Sequence, residues 1–227
     1  MPGSEAEISE QMFFRDPSQT ANRERMVSSQ LSARGIHDQR VLSAMATVPR
    51  HEFIPESLRA DAYEDHPLPI GEEQTISQPY IVAAMLQHLC LLATDRVLEI
   101  GTGSGYVTAL LSVLAAKVFS IERFSSLSWS AAAVLERLAY DNVHLKIGDG
   151  REGWPEHAPY DAILVSAATA EVPPALFDQL AQGGRMIIPV GEPSSQELQL
   201  IRKQNGKAEV TLLEGCRFVP LVGGKAD

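Results

Sequence analysis

The sequence predicts a doubly wound α/β fold built on a mostly parallel sheet, and three observations carry that expectation. From residue 96 to residue 190, short apolar runs rich in β-branched residues alternate with segments of helical period, the pattern of βα units. One run, residues 97–100, breaks at Gly101, Gly103 and Gly105 before a helical segment, which marks a strand-turn-helix junction. Beyond the alternation, two extended runs flank Asn205-Gly206, a dipeptide suited to a two-residue hairpin.

Taken in chain order, residues 1–22 are acidic and polar without clear period and read as a tail, with Phe13 and Phe14 as its anchors. Residues 23–227 read as one domain. A helix is expected over 22–34, stopped by Gly35. A second follows the Asp38 cap, carries Val41, Leu42 and Met45 at helical spacing, and ends before Pro49. The proline-rich stretch 50–76 reads as an extended connection. Ser77 reads as the cap of the next helix, with Pro79 in its first turn and Ile81, Val82, Met85, Leu86 and Leu89 on its buried face. Strands are then expected over 96–100, 117–121, 143–147, 161–166 and 185–190, with helices over 104–115, 125–140 and 174–181. Strands 197–203 and 207–213 form the hairpin, and 217–222 reads as a last strand.

Composition narrows the function. The chain has 227 residues, 44% hydrophobic and 21% charged, as an ordinary globular domain does. A formal net charge of −10 argues against a nucleic-acid partner, whose phosphates require clustered Lys and Arg. Cys90 and Cys216 form no C-x-x-C and read as core residues, and the six histidines lack metal-ligand spacing, so no metal is expected. Trp129 and Trp154 read as packing residues. The first residues lack the basic and apolar regions of a secretory signal, and no apolar run reaches the roughly 18 residues of a membrane span. A cytoplasmic protein without a membrane partner is the expectation.

In a doubly wound sheet, ligands bind at the carboxyl ends of the strands near the switch in strand order. That rule collects Glu99, Gly101, Gly103 and Gly105 at one strand end, Glu122 at the next, then Asp149-Gly150, then Ser166, Ala167 and Ala168. A glycine turn opening a helix presents free N–H groups, which suits a nucleotide-like ligand carrying a carboxylate or phosphate. Glu122 could accept from ribose hydroxyls, Asp149 from an adenine amine, and Glu99 from an ammonium or a nearby backbone donor. The spacing is G-x-G-x-G rather than the dinucleotide G-x-G-x-x-G, with an acid two residues before the first glycine. That arrangement resembles the S-adenosylmethionine (SAM) site of Rossmann-like methyltransferases. After the fourth strand stands SAATAEVPP (166–174), without the Asp/Asn-Pro-Pro-aromatic segment of many amine methyltransferases. Attention moves to Gln74-Thr75-Ile76-Ser77-Gln78-Pro79, whose hydroxyls, amide and helix-start N–H groups could cradle an anion.

With these segments together, the chain from about 26 to 222 resembles the protein-L-isoaspartate O-methyltransferases. The resemblance rests on VPRHEFIP (48–55), YEDHPLPIG (63–71), QTISQPYIVA (74–83), VLEIGTGSGY (97–106), IER (121–123), GDGREGWPEHAPYDAILVSAA (148–168), GGRMIIPVG (183–191) and RFVPLV (217–222). It implies a Rossmann-like methyltransferase fold with added N-terminal helices and a C-terminal antiparallel hairpin. It also implies methyl transfer from SAM to the free carboxylate of L-isoaspartyl residues, or the side-chain carboxylate of D-aspartyl residues, in aged proteins and peptides. Ester collapse to a succinimide then begins repair. By resemblance, Ser77 is the active-site serine that orients the carboxylate. Thr75, Ile76 and Gln78 line the junction between SAM and substrate. Glu99, the three glycines, Glu122, Asp149 and Gly150 hold SAM, while Ala167, Arg217, Val219 and Pro220 shape the peptide channel.

The chemistry suits these residue types. A carboxylate, with a pKa of about 4, is already ionised at neutral pH and needs no general base. Carboxylate plus sulfonium become neutral ester plus thioether, so a dry, weakly polar site with collinear placement favours the step. One departure stands out: Glu73 replaces the glycine usual before Gln-Thr-Ile-Ser, which restricts the turn and adds charge near an anionic substrate. It leaves open a methyltransferase with another acceptor, and a non-catalytic SAM-binding protein is the other alternative.

Overall fold

A helix begins where the sequence shows no apolar period. The computed structural model describes residues 17–224, so residues 1–16 of the expected tail, with Phe13 and Phe14, lie outside it. Helix α1 (Pro17–Arg25) starts five residues before the expected boundary at 22, with proline at its first position and no buried residue to reveal it. The chain continues as a π-helical segment, Met26–Leu31, and a 3₁₀ turn, Ser32–Arg34, stopped by Gly35 at φ 96°. Helix α2 (Gln39–Thr47) is capped as expected, the Asp38 side chain accepting from the amides of Arg40 and Val41.

The stretch 50–76 is not extended throughout. It folds into 3₁₀ turns at Arg50–Phe53 and Glu56–Asp61 and then a small antiparallel hairpin, β1 (Leu68–Gly71) with β2 (Gln74–Ile76). Prolines suit such turns by presetting φ. The hairpin bend uses Glu72 and Glu73 at φ 51° and 56°, a conformation that usually favours glycine. Helix α3 (Pro79–Leu89) follows, with Val82, Met85, Leu86 and Leu89 buried and Ile81 only half-buried.

The remaining elements are β3 (Arg96–Ile100), α4 (Tyr106–Leu114), β4 (Lys117–Glu122), α5 (Ser125–Arg137), β5 (Val143–Ile147), β6 (Tyr160–Val165), α6 (Pro174–Asp178), β7 (Leu180–Glu192), β8 (Ser195–Gln204) and β9 (Lys207–Cys216). The seven-stranded sheet runs β5-β4-β3-β6-β7-β8-β9, parallel from β5 to β7 and antiparallel beyond. Asn205 and Gly206 make the final bend at φ 52° and 75°. Strand β7 begins earlier than residue 185 because Leu180 already pairs with Tyr160 before a bulge. The stretch 217–222 is not a strand; only Pro220 bridges to Ala168.

Side chains alternate across the sheet into two cores. Val97, Val118, Ala162 and Leu164 face α2, α3 and α4, while Leu98, Ile100, Phe119, Ile163 and Val165 face Leu176, Met186 and Trp154. Two packing expectations fail. Cys90 is exposed because it sits at the left-handed end of α3, and Trp129 is 67% exposed on the outer face of α5. Among the described residues no helix is long and apolar enough to cross a membrane.

Arg185 locks β7 to the end of α3. It donates to the Leu89, Cys90 and Asp161 carbonyls and pairs with the buried Asp95 at 2.5 Å. Arg185→Met leaves a buried carboxylate and three carbonyls without their donor. Denaturant unfolding is expected to show a loss of about 3–5 kcal/mol; a loss near zero refutes this locking role.

Candidate active site

The switch in strand order falls between β3 and β6, and the glycine turn after β3 sits there. Gly101, Gly103 and Gly105 have φ of 91°, 53° and 86°, a backbone path that a side chain disfavours. A Cβ on Gly105 would stand 3.1 Å from that of Ala131, so this glycine serves the packing of α4 on α5.

Part of the expected set of free N–H groups is already engaged. Gly101 and Thr102 donate to the Ile121 carbonyl, Gly105 to the Thr102 carbonyl, Gly103 to the Glu122 carboxylate at 2.8 Å and Tyr106 weakly to Ser104 Oγ. Glu122 also accepts from the Phe124 amide at 3.0 Å, so both of its oxygens are anchored yet keep lone pairs for hydroxyl donors.

Around this turn lies a cavity open to solvent on one side. Its floor is Ile100, Gly101, Gly103, Ile121, Glu122, Phe124 and Gly150, and its roof is Ile70, Gln74, Thr75 and Ile76 of the hairpin. Ala167, Val219, Pro220 and Leu221 close one side. Gly150 is obligatory, since a Cβ there would meet Ile100 at 2.4 Å. A second, wider cleft of about 2030 Å³ runs between α3 and the strand ends of β8 and β9. Arg34, Gln78, Tyr80, Gln196, Arg217 and Phe218 line it. The two spaces share five residues, Thr75, Ser77, Ser166, Val219 and Pro220, which form a neck between them.

Ser77 is not the cap of α3. The cap position is Gln78, and the capping is done from elsewhere: the Asp65 carboxylate accepts from the Tyr80 amide at 3.1 Å and from Gln78 Nε2 at 2.7 Å. Asp65 also pairs with Arg34, whose guanidinium stacks 3.8 Å from the Tyr80 ring centroid. The helix start is therefore taken, and what Ser77 offers the neck is its hydroxyl. The Ser77 carbonyl accepts from Arg50 at 2.9 Å.

The far wall is held by side-chain mimicry of strand pairing. Gln196 donates to the Phe218 carbonyl and accepts from the Phe218 amide, at 3.1 and 2.7 Å. The Ala168 amide donates to the Val219 carbonyl and the Leu221 amide to the Ala168 carbonyl. These bonds pin 217–222 across the mouth, though it forms no regular strand.

Three expected site residues stand behind the walls. Gly105 lies under α5. Asp149 gives its carboxylate to the Arg151 side chain and the Gly224 amide, and the Arg151 contact chiefly holds its pKa down at about 2. Glu99 is fully buried and accepts from Thr108 and Ser120 hydroxyls, both at 2.6 Å, while its other oxygen has no protein partner. Conversely, Ile70, Phe124, Asp65 and Arg50 belong to the site or its frame but were not singled out from sequence. Most of them sit inside the very segments that carry the resemblance, so position in a motif was the available signal. Glu73 is exposed and lines neither space, so it puts no charge beside the neck.

The family model described as protein-L-isoaspartate(D-aspartate) O-methyltransferase (PCMT) matches residues 21–226. The protein-L-isoaspartate O-methyltransferase of Koribacter versatilis is 55% identical over 204 residues, which cover 90% of this chain and 92% of that one. Protein-L-isoaspartate O-methyltransferase 1 of Syntrophobacter fumaroxidans is 54% identical over 201 residues, 88% and 94% of the two chains. A solved protein-L-isoaspartate O-methyltransferase at 34% identity superposes with a TM-score of 0.79 over 90% of this chain and 67% of its own. A putative enzyme of that name from Plasmodium falciparum, in complex with S-adenosyl-L-homocysteine, is 29% identical with a TM-score of 0.79, over 89% and 99%.

Burial pushes the Glu99 carboxyl from its ordinary 4.5 up to about 8. The folded state thus keeps this proton where the unfolded chain has lost it, so stability falls as pH rises from 4.5 to about 8 and levels off above. Glu99→Gln removes this contribution. Its melting temperature is expected to depend less steeply on pH across that window than the parent's; equal slopes would contradict the assignment.

Proposed function

The chain belongs to the protein-L-isoaspartate(D-aspartate) O-methyltransferase family, and from that premise we propose that it methylates the free carboxylate of isoaspartyl residues in damaged proteins and peptides, using SAM. The observation that carries this reading is the neck: the cavity at the glycine turn and the wider cleft meet at Thr75, Ser77, Ser166, Val219 and Pro220.

The residues fit SAM. The cavity offers an apolar slot at Ile100, Ile121, Phe124 and Leu221 for a flat ring and an anchored carboxylate at Glu122 for hydroxyls. When bound, SAM supplies an electrophilic methyl carbon on a sulfonium. In this proposal Gly101, Gly103, Glu122, Gly150, Thr75 and Ile76 hold it, with Glu99, Gly105 and Asp149 fixing the turn and the neighbouring loop from behind, while Gln78, expected beside SAM, lines the wider cleft with its side chain on Asp65. Arg217, Val219 and Pro220 hold the peptide, and Ala167, expected with them, lines the SAM cavity instead. Ser77, with Thr75 beside it, donates to one oxygen of the substrate carboxylate and leaves the other to attack.

None of the five neck residues titrates near neutrality. That suits a nucleophile with a pKa of about 4, which arrives ionised and requires only alignment and exclusion of water. The proposal also takes 23–227 as one methyltransferase domain behind a tail at 1–22, in the cytoplasm. No nucleic-acid partner is included, which the net charge of −10 supports.

The test is transfer of labelled methyl from SAM to a synthetic isoaspartyl peptide, with the aspartyl isomer as control. Methylation of the first alone is expected, and equal labelling or none would refute the reading. Ser77→Ala is expected to lower turnover about 10- to 100-fold, the scale of one lost aligned hydrogen bond, with SAM affinity by calorimetry little changed. An unchanged turnover would remove Ser77 from its role.

A further inference from the structure

Arg50 is a buried cation without a carboxylate. Its side chain is 0% exposed, and no acid pairs with it among the described residues, Asp65 acting only at a distance. Burial lowers its pKa to about 10, which leaves it charged at neutral pH. Placing an unpaired charge inside a protein is costly, and a hydrophobic residue of like volume is usually no less stable.

What the guanidinium does instead is hold backbone. Nε donates to the Ala62 carbonyl at 2.7 Å and Nη2 to the Ser77 carbonyl at 2.9 Å. Its central carbon lies 4.9 Å from the ring centroid of Tyr106, the first residue of α4 and the one directly after Gly105. One planar group thus spans the connection 50–76, the hydroxyl-bearing end of the hairpin, and the helix that starts at the glycine turn. Ser77 lies just before the α3 cap position, where no side chain of its own element caps it.

Resting on the reading of Ser77 given above, we infer that Arg50 is a positioning residue for methyl transfer: through the Ser77 carbonyl it fixes the height of the Ser77 hydroxyl above the glycine turn. The peptide plane held by Nη2 carries the Cα of Ser77. A tilt of that plane moves the hydroxyl, and with it the carboxylate oxygen, off the line to the methyl carbon. Misplacement of about 1 Å can cost a factor of about 100 in rate. A plain structural staple would instead weaken folding and cofactor binding together.

A double-mutant cycle separates these roles, using the full chain, SAM and an isoaspartyl peptide. Arg50→Lys keeps the charge but cannot reach both carbonyls with planar donors. Alone it is expected to lower kcat about tenfold while SAM affinity by calorimetry changes less than about twofold. In the Ser77→Ala background the same change is expected to lower kcat no further, because the hydroxyl it positions is gone. Multiplicative losses in the double variant overturn the inference, as does a kcat loss matched by an equal loss of SAM affinity. If Arg50→Lys does not fold, Tyr106→Leu removes the ring beneath the guanidinium and is read through the same cycle, with the same two outcomes. A Ser77→Ala enzyme of normal turnover would instead strike the underlying reading, and is told apart because that variant is measured alone.

Discussion

Two backbone hydrogen bonds, from the Ala168 amide to the Val219 carbonyl and from the Leu221 amide to the Ala168 carbonyl, close the space on which the account depends. They lay the end of the chain against the loop after β6, opposite the β1–β2 hairpin, and so leave one constriction between two voids. A parallel sheet alone provides an edge with strand ends and a glycine turn. It takes the added hairpin on one side and the pinned segment on the other to turn that edge into a walled cavity that adjoins a wider cleft.

Charge explains how so acidic a chain can receive an anion. Four acids gather near the strand ends, yet each is compensated. Glu122 is anchored on two amides, Asp149 on Arg151 and the Gly224 amide, and Asp65 on Arg34, Gln78 and the Tyr80 amide. Glu99 is held protonated at neutral pH by burial. What remains at the neck is a pair of hydroxyl-bearing residues from the hairpin, another at Ser166, and the apolar surface of Val219 and Pro220. Such a surface neither repels a carboxylate nor binds it so strongly that the loss of charge during transfer becomes costly.

Much of this could be read from residues alone. Alternating apolar runs located all five parallel strands to within a few positions, save the start of β7, because short runs rich in β-branched residues between helical segments leave a strong local signal. Asn205-Gly206 marked its bend for the same local reason. Where the determinants were distant, reading failed. Helix α1 has no buried face, so nothing in PSQTANRER distinguishes it from tail. Ser77 carries the local look of a cap, but a carboxylate twelve residues upstream, Asp65, occupies the helix start. Residues 217–222 form a short apolar run like a strand, yet the Gln196 side chain takes the place of a neighbouring backbone. Glu99 and Asp149 sit at strand ends as expected, but which face each side chain takes is set by Thr108, Ser120 and Arg151, and no local pattern announces that.

The central claim is that the substrate carboxylate and the cofactor meet across the Thr75–Ser77 neck. The most direct measurement is a crystal structure of the protein with both S-adenosyl-L-homocysteine and an isoaspartyl peptide bound. The account predicts the nucleoside beside Glu122 and the free carboxylate within hydrogen-bonding distance of Ser77 Oγ, facing the sulfur through the neck. A carboxylate seated elsewhere in the cleft, or a peptide on another face of the molecule, would contradict it.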